Sequence, residues 1–259
     1  MKTKRNLLNF KMALLVFCGV LALSLPSQAQ TATAPSGSGT SMDPYQIGSL
    51  ENLYWIAENT DRWDDHYQQT ANIDASGTST WFSGEGWSPI GNSSTKFTGS
   101  YDGGGYTINN LYINRSTDDY QGLFGSANGA YISNLGIEGA DITGKRQIGC
   151  LIGWSEYSTV IYRCWSVNSS LTAEAYAGGL TGYLRESEIN QCFANVIVTA
   201  SLDLAGCLVG GANSFSTIEN SYSRGSVDTS PYAGGIVGLF DGSQMINCYS
   251  TAFIDGHGG

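Results

Sequence analysis

The sequence predicts a stacked β-solenoid, and three observations predict it. The first is a phrase that returns five times: Gln121-Gly122-Leu123-Phe124-Gly125, Gly149-Cys150-Leu151-Ile152-Gly153, Gly178-Gly179-Leu180-Thr181-Gly182, Gly206-Cys207-Leu208-Val209-Gly210 and Gly234-Gly235-Ile236-Val237-Gly238. Its closing glycines step by 28, 29, 28 and 28 residues, a fixed period within the range of solenoid repeats. The second is a companion phrase that follows each copy, reading apolar, any, Asn-like, small or apolar, aromatic. It runs Ile132–Gly136, Ile161–Trp165, Ile189–Phe193, Ile218–Tyr222 and Met245–Tyr249. The third is composition. Charged residues are 13%, about half the usual share of ~25%. There are 34 glycines in 259 residues, nearly twice the usual ~7%. This fits a β-protein with frequent tight turns and not disorder, which needs low hydrophobicity and high charge. No single unit buries its apolar face alone, so neighbours must stack to make a core.

The chain opens with a basic stretch, Met1–Lys11, then an apolar run, Met12–Leu25, then Ser27-Gln28-Ala29 with cleavage expected before Gln30. Residues 1–29 read as a secretory signal peptide. The run of about 14 apolar residues is short of the ~20 that span a bilayer. Phe17 in front of Cys18 argues against lipidation. Residues 30–42, rich in Thr, Ala, Ser and Gly, read as a flexible linker. Residues 43–115 read as an N-terminal α/β cap. In it Ser49 N-caps a short helix over Leu50–Asn59 with Leu53, Ile56 and Ala57 on one face. Tyr67–Asp74 is extended, and Asp102–Gly105 turns between the alternating stretches Phe97–Tyr101 and Tyr106–Ile113. A cap has a physical purpose, because an open first coil leaves strand edges unpaired.

The repeats occupy 116–259. Leu123, Leu151, Leu180, Leu208 and Ile236 are expected to stack as one inner column, and Ile132, Ile161, Ile189, Ile218 and Met245 as a second. Parallel rungs lie about 4.8 Å apart, so five coils make a rod about 24 Å long. The sequence stops at Gly256-His257-Gly258-Gly259, where a further unit would begin. A fragment of a longer protein is therefore expected.

The paired phrases resemble those of GLUG-repeat proteins, named for a Gly-Leu-any-Gly motif. The lead-in is similar too: Pro44-Tyr45-Gln46-Ile47, a helix, Ala71-Asn72-Ile73-Asp74 and Phe97-Thr98-Gly99-Ser100-Tyr101-Asp102-Gly103. The resemblance covers about 43–259. It implies a right-handed parallel β-solenoid in a secreted or surface-exposed bacterial protein. Such repeats occur as modules in varied surface proteins and in some immunoglobulin-cleaving metallopeptidases.

The formal charge is −10. Without the first 29 residues, eight basic residues face 22 acidic ones, a net of −14. That argues against nucleic acid and against an anionic membrane surface. The histidines are His66 and His257, and no His-Glu-x-x-His or Gly-x-Ser-x-Gly occurs, so no catalytic residue is assigned. Gly139–Lys145 matches a phosphate loop until Arg146 takes the place of the magnesium-holding Ser or Thr. Asp61, Asp64 and Asp65, Asp118 and Asp119, and Glu186 and Glu188 form carboxylate clusters read as solvated turns. No metal or cofactor is expected. Beyond the signal segment the cysteines are Cys150, Cys164, Cys192, Cys207 and Cys248. Their columns also accept Leu, Ser or Gly, the pattern of small inward packing sites with free thiols. Cys164–Cys192 is the best placed pair for a disulfide.

One candidate binding face emerges. Trp165, Phe193, Tyr222 and Tyr249 follow the inward small position, so alternation sends them outward as an aromatic stripe. Stacked rings suit sugar rings or a protein partner. They also suit mutual stacking that stabilises the ladder. The expected role is a secreted, non-catalytic surface or adhesion module that presents a stiff face to a glycan or protein. The alternatives are an accessory region of a larger secreted peptidase or polysaccharide-active enzyme, and a purely structural stalk.

Overall fold

The computed structural model describes residues 30–229 and 232–256. The signal-peptide reading of 1–29 lies outside the described residues. The chain is a parallel β-solenoid of about five turns with about 29 residues per coil. Among the described residues the strands form four sheets of eight, ten, four and five strands. One coil shows the plan: Arg146–Gly149, Ile152–Glu156, Val160–Tyr162 and Trp165–Ala173 place one strand in each sheet. The next coil repeats it in parallel register, Gly149 on Gly178, Ile152 on Thr181, Ile161 on Ile189 and Trp165 on Phe193.

Both expected inner columns are present. Leu123, Leu151, Leu180 and Leu208 are fully buried, as are Ile132, Ile161, Ile189 and Ile218. Ile236 and Met245, in the last described coil, are 9% and 38% exposed. The closing glycines owe their identity to close approach. A Cβ on Gly153 would lie 2.7 Å from the Gly125 carbonyl oxygen, and one on Gly210 would lie 2.4 Å from that of Gly182. Any side chain there would wedge the coils apart. The Asn-like position has a different cause. Asn134, Arg163, Gln191, Asn220 and Asn247 all turn the chain in the left-handed region, with φ between 50° and 55°, where Asn is the best tolerated residue after Gly. Some of their side chains are linked: Asn247 Nδ2 donates to Asn220 Oδ1 at 3.2 Å and Arg163 Nε to Gln191 Oε1 at 3.0 Å, while Asn220 Nδ2 donates to Asn190 Oδ1, one residue before the column, at 3.2 Å.

The helix runs Leu50–Glu58, and Ser49 Oγ accepts the N–H of Asn52 as its N-cap. Leu53 and Ile56 are fully buried, and Tyr54 packs its ring on Trp81 and Trp87. The strands Tyr45–Ile47, His66–Gln69 and Ser100–Asp102 are the first three rungs of the eight-stranded sheet. Ile73–Asp74 and Thr107–Asn109 begin the ten-stranded one. The cap is therefore continuous with the solenoid, with no break in the sheets near 115. The turn at 102–105 carries the chain from one sheet to another.

Residues 30–42 depart from the free linker the composition suggested. Thr33 N–H donates to Glu51 O, Gln46 N–H to Ser36 O and His66 N–H to Gly39 O, at 2.8–3.1 Å. Gly37 and Gly39 serve left-handed turns (φ 103° and 76°) that bring these groups into line. Composition could not show this, because the partners are backbone atoms. The phosphate-loop look-alike is also resolved. Asp141–Gly144 is a strand paired with Ser170–Thr172 and with Tyr112–Arg115, so it cradles nothing.

Candidate functional site

Cys164, Cys192 and Ser221 point inward with at most 1% exposure. The next residue on each strand therefore points out. Register pairs run Gly136, Trp165, Phe193, Tyr222, Tyr249 up the ten-stranded sheet. The rings stack at 6.4, 5.0 and 5.2 Å, with planes within 8°, 3° and 5° of parallel. At that spacing the faces are turned toward each other, and the ladder shows solvent mainly its edges. The outward aromatic stripe expected from sequence is thus a ridge of mutually stacked rings. Gly136 ends it for a steric reason: a Cβ there would lie 2.4 Å from the Trp165 ring, which leans over the bare backbone.

Beside the ridge runs a groove of about 380 Å³. On the strand Phe193–Ala200 the residues Phe193, Asn195, Ile197 and Thr199 alternate outward, so ridge and groove share one face. Asn168, Asn195, Asp141 and Ser170 supply its polar lining and Ile197, 57% exposed, an apolar patch. The groove follows a bend in the strands. Asn168 and Gly139 are left-handed (φ 54° and 66°), as is Gly225 (φ 101°), and the register slips between Val167 and Ser169. Asn168 is the extra residue of that bulge.

The cysteines sit as the columns implied. Cys150, Cys164, Cys192 and Cys207 are free and buried, and Cys248 is free and half-buried. The Cys192 thiol donates to Asn190 O and Ile161 O at 3.3 and 3.5 Å, and its sulfur accepts the N–H of Cys164 at 3.3 Å. Burial pushes the Cys150 and Cys192 thiols up to about 12 and Cys207 to about 11, and it raises Cys164 well above the ordinary value. Thiols held protonated in this way are inert.

The carboxylate clusters lie apart. Asp118 and Asp119 line one cleft, Asp61 and Asp64 another, and Glu186 and Glu188 a third. Among the described residues no group of three or more His, Cys, Asp or Glu side chains could hold a metal ion. His66 Nδ1 lies 2.6 Å from Ser100 Oγ. The two are register partners on adjacent rungs, so the sheet itself brings them together.

Sequence reasoning missed a second aromatic group, on the five-stranded sheet. The outward residue after each closing glycine reads Ser126, Trp154, Tyr183, Gly211, Leu239 in register. Trp154 lies 5.2 Å from Tyr183 at 35° and 5.6 Å from Tyr120 at 72°, and Tyr176 stands edge-on to Tyr183 at 5.3 Å. Trp154 Nε1 donates to Glu156 Oε2 at 3.2 Å, and Lys96 Nζ pairs with Glu156 Oε1 at 3.4 Å. Desolvation, then the nearby Asp119 and Glu156, raise the Tyr120 hydroxyl above its ordinary value, so it stays a donor. The signal was available. The same alternation that flagged Trp165 applies to the position after each Gly-x-x-Gly, but only two of its five members are aromatic.

With this geometry in view, known proteins show what the chain is similar to. No family model matches the sequence. Halomucin of Haloquadratum walsbyi is 35% identical over 208 residues, covering 78% of this chain and 2% of that protein. A candidate Gly-rich membrane protein of Evansella cellulosilytica is 34% identical over 122 residues, covering 45% of this chain and 13% of its own length. The chain thus spans a small part of the length of the curated relatives it matches. Among solved structures, that of a candidate immunoglobulin A1 protease from Bacteroides ovatus superposes with a TM-score of 0.68 at 22% identity. That match covers 85% of this chain and 70% of the other, and it establishes a shared solenoid fold.

Proposed function

We propose that this chain is a secreted or surface-exposed, non-catalytic module of GLUG-repeat type that holds a stiff solenoid face to a glycan or protein partner. The observation that carries the reading is the aromatic ridge of Trp165, Phe193, Tyr222 and Tyr249 running beside an Asn-, Asp- and Ser-lined groove on one face of a sheet. The ring edges give rigid apolar contacts at low entropy cost, and the amide and carboxylate groups give orientation. The parallel core holds both at fixed spacing, so little ordering is left for binding to supply. The names of the two relatives, halomucin and a Gly-rich membrane protein, support a location at or beyond the cell surface, as does the signal-like start. No helix among the described residues is long and apolar enough to cross a membrane.

A second reading, a repeat region within a larger secreted enzyme, draws support from the fold shared with a candidate immunoglobulin A1 protease. The deciding experiment for the first reading pairs Trp165→Ala with Phe193→Ala and measures binding to whole cells and to an immobilised glycan panel. Loss of binding at a retained fold supports a recognition face. Full binding with a lowered melting temperature assigns the ridge to stability alone and removes these four residues as a site.

A further inference from the structure

On the five-stranded sheet one rung position is left open. Gly211 follows Tyr183 in the outward column, but the Tyr183 ring leans into that gap, and a Cβ on Gly211 would lie 2.9 Å from its Cε2. Ser126 precedes Trp154 and carries no ring; it is 2% exposed, and Phe97 N–H donates to its carbonyl. A cavity of about 100 Å³ sits there, bounded by Ser93, Lys96, Tyr120, Ser126, Trp154 and Glu156. It lies on the side of Trp154 away from Tyr183, with Tyr120 standing nearly perpendicular as a second wall.

We propose that this slot is a saccharide site, at which one neutral pyranose ring rests its face on Trp154 with only part of the ring inside the cavity. Four features point to that class. An indole backed by a second ring gives the C–H-rich face of a sugar a flat apolar wall. The rim carries hydroxyl, ammonium and carboxylate groups, the partners sugar hydroxyls need. Glu156, 7% exposed, is held by both Trp154 and Lys96, so the polar groups are pre-positioned. That pairing also cancels the charge. A quaternary ammonium in an aromatic cage gains from an unpaired carboxylate, and an acidic sugar from an unpaired cation, and within the slot itself Glu156 and Lys96 are paired with each other.

The slot opens toward room for a longer chain. A cleft of about 410 Å³ shares Ser93 and Tyr120 with it and is lined further by Asp118, Asp119 and Gln121. Gln121 is 4% exposed, and its Oε1 has no hydrogen-bond partner among the described residues. That atom is buried, so a ligand hydroxyl reaches it only if the side chain turns toward the cleft. The ligand is therefore an oligosaccharide, with one unit in the slot and its neighbour in the cleft. This site is on a different sheet from the aromatic ridge and does not depend on it.

The test titrates the chain separately with chitohexaose, cellohexaose, mannohexaose and choline chloride, following tryptophan emission and heat. At least one hexaose is expected to give a saturable response. Trp154→Leu should weaken it at least tenfold, Trp154→Phe should keep it within a few-fold, and Ser126→Leu, which adds bulk beside Trp154, should abolish it at an unchanged circular-dichroism spectrum. In the Trp165→Ala and Phe193→Ala background, where any contribution of the ridge is gone, the Trp154-dependent part of the response should remain, so failure of the ridge reading and failure of this one give different results. Silence from all three hexaoses, binding retained in Ser126→Leu, loss only in the ridge variant, or saturation by choline instead would each overturn the proposal.

Discussion

Phe193 and Tyr222 lie ring on ring, 5.0 Å apart and within 3° of parallel, on successive rungs of the ten-stranded sheet. Phe193 is also stacked on Trp165 from the other side. Each such aromatic contact is worth about 0.5–1.5 kcal/mol beyond the area it buries. Phe193→Ala should therefore cost about 1–3 kcal/mol through its two lost partners, read by chemical denaturation. Tyr249→Ala, at the exposed end with one stacked neighbour, should cost about half as much. Equal losses would show that the stacking itself contributes little.

The leucine column bears more. Leu180 is fully buried between Leu151 and Leu208, and Leu180→Ala should destabilise by roughly 2–5 kcal/mol, the range for a buried aliphatic truncated in a packed core. The midpoint of a urea transition checks this. The same truncation at Met245, 38% exposed, should cost far less.

Gly182→Ala tests the close approach. The new methyl carbon would lie 2.3 Å from Ile148 N and 2.7 Å from Gly153 O. Backbone cannot yield there without separating coils, so the loss should reach or exceed the ~1–3 kcal/mol of an overpacked core. A melting temperature like that of the parent would mean the coils are less tightly stacked than described.

The thiols give two readouts. In the folded chain a thiol reagent should react with Cys248 and spare the four buried cysteines, whereas after denaturation all five should react. Fewer than five would reveal a disulfide.

Stability should also fall in alkali. Cys150 and Cys192 hold their protons up to about 12 and Cys207 to about 11 when folded, against an ordinary value of 9.0. Their contribution is whole below about pH 9. Above that the unfolded chain releases protons the folded one keeps, so each thiol removes up to about 1.4 kcal/mol per pH unit until its folded value is reached. Unfolding free energies measured from pH 8 to 11 should show this slope, and Cys192→Ser should reduce it.

The repeat was legible because its causes are local to each coil. Glycine is required where backbones nearly touch, and Asn-like residues where φ is positive. The apolar columns at 151, 180 and 208 repeat because each coil fills the same interior. The cap was legible only in outline. Its interior is an aromatic packing of Tyr67, Trp87, Phe97 and Tyr101 that happens once and so has no period to betray it. The ridge was found because Phe193, Tyr222 and Tyr249 follow a recognisable phrase. The groove was not, since it arises from a bulge at Asn168 that no residue type announces. The Trp154 slot escaped for a related reason. It is made by what Ser126 lacks, and its walls come from 93, 120 and 154, brought together only by folding.

That bulge has a consequence for how such a chain can change over generations. Between Val167 and Ser169 one coil carries a residue its neighbour does without, yet Leu171 still sits on Val198 and Ala173 on Ala200. An inserted or deleted residue at a bend is absorbed there and leaves the columns before and after it in step. Single-codon gains and losses are thus tolerated at the corners and forbidden along the columns. The surface can be recontoured one residue at a time, with the interior inherited unaltered.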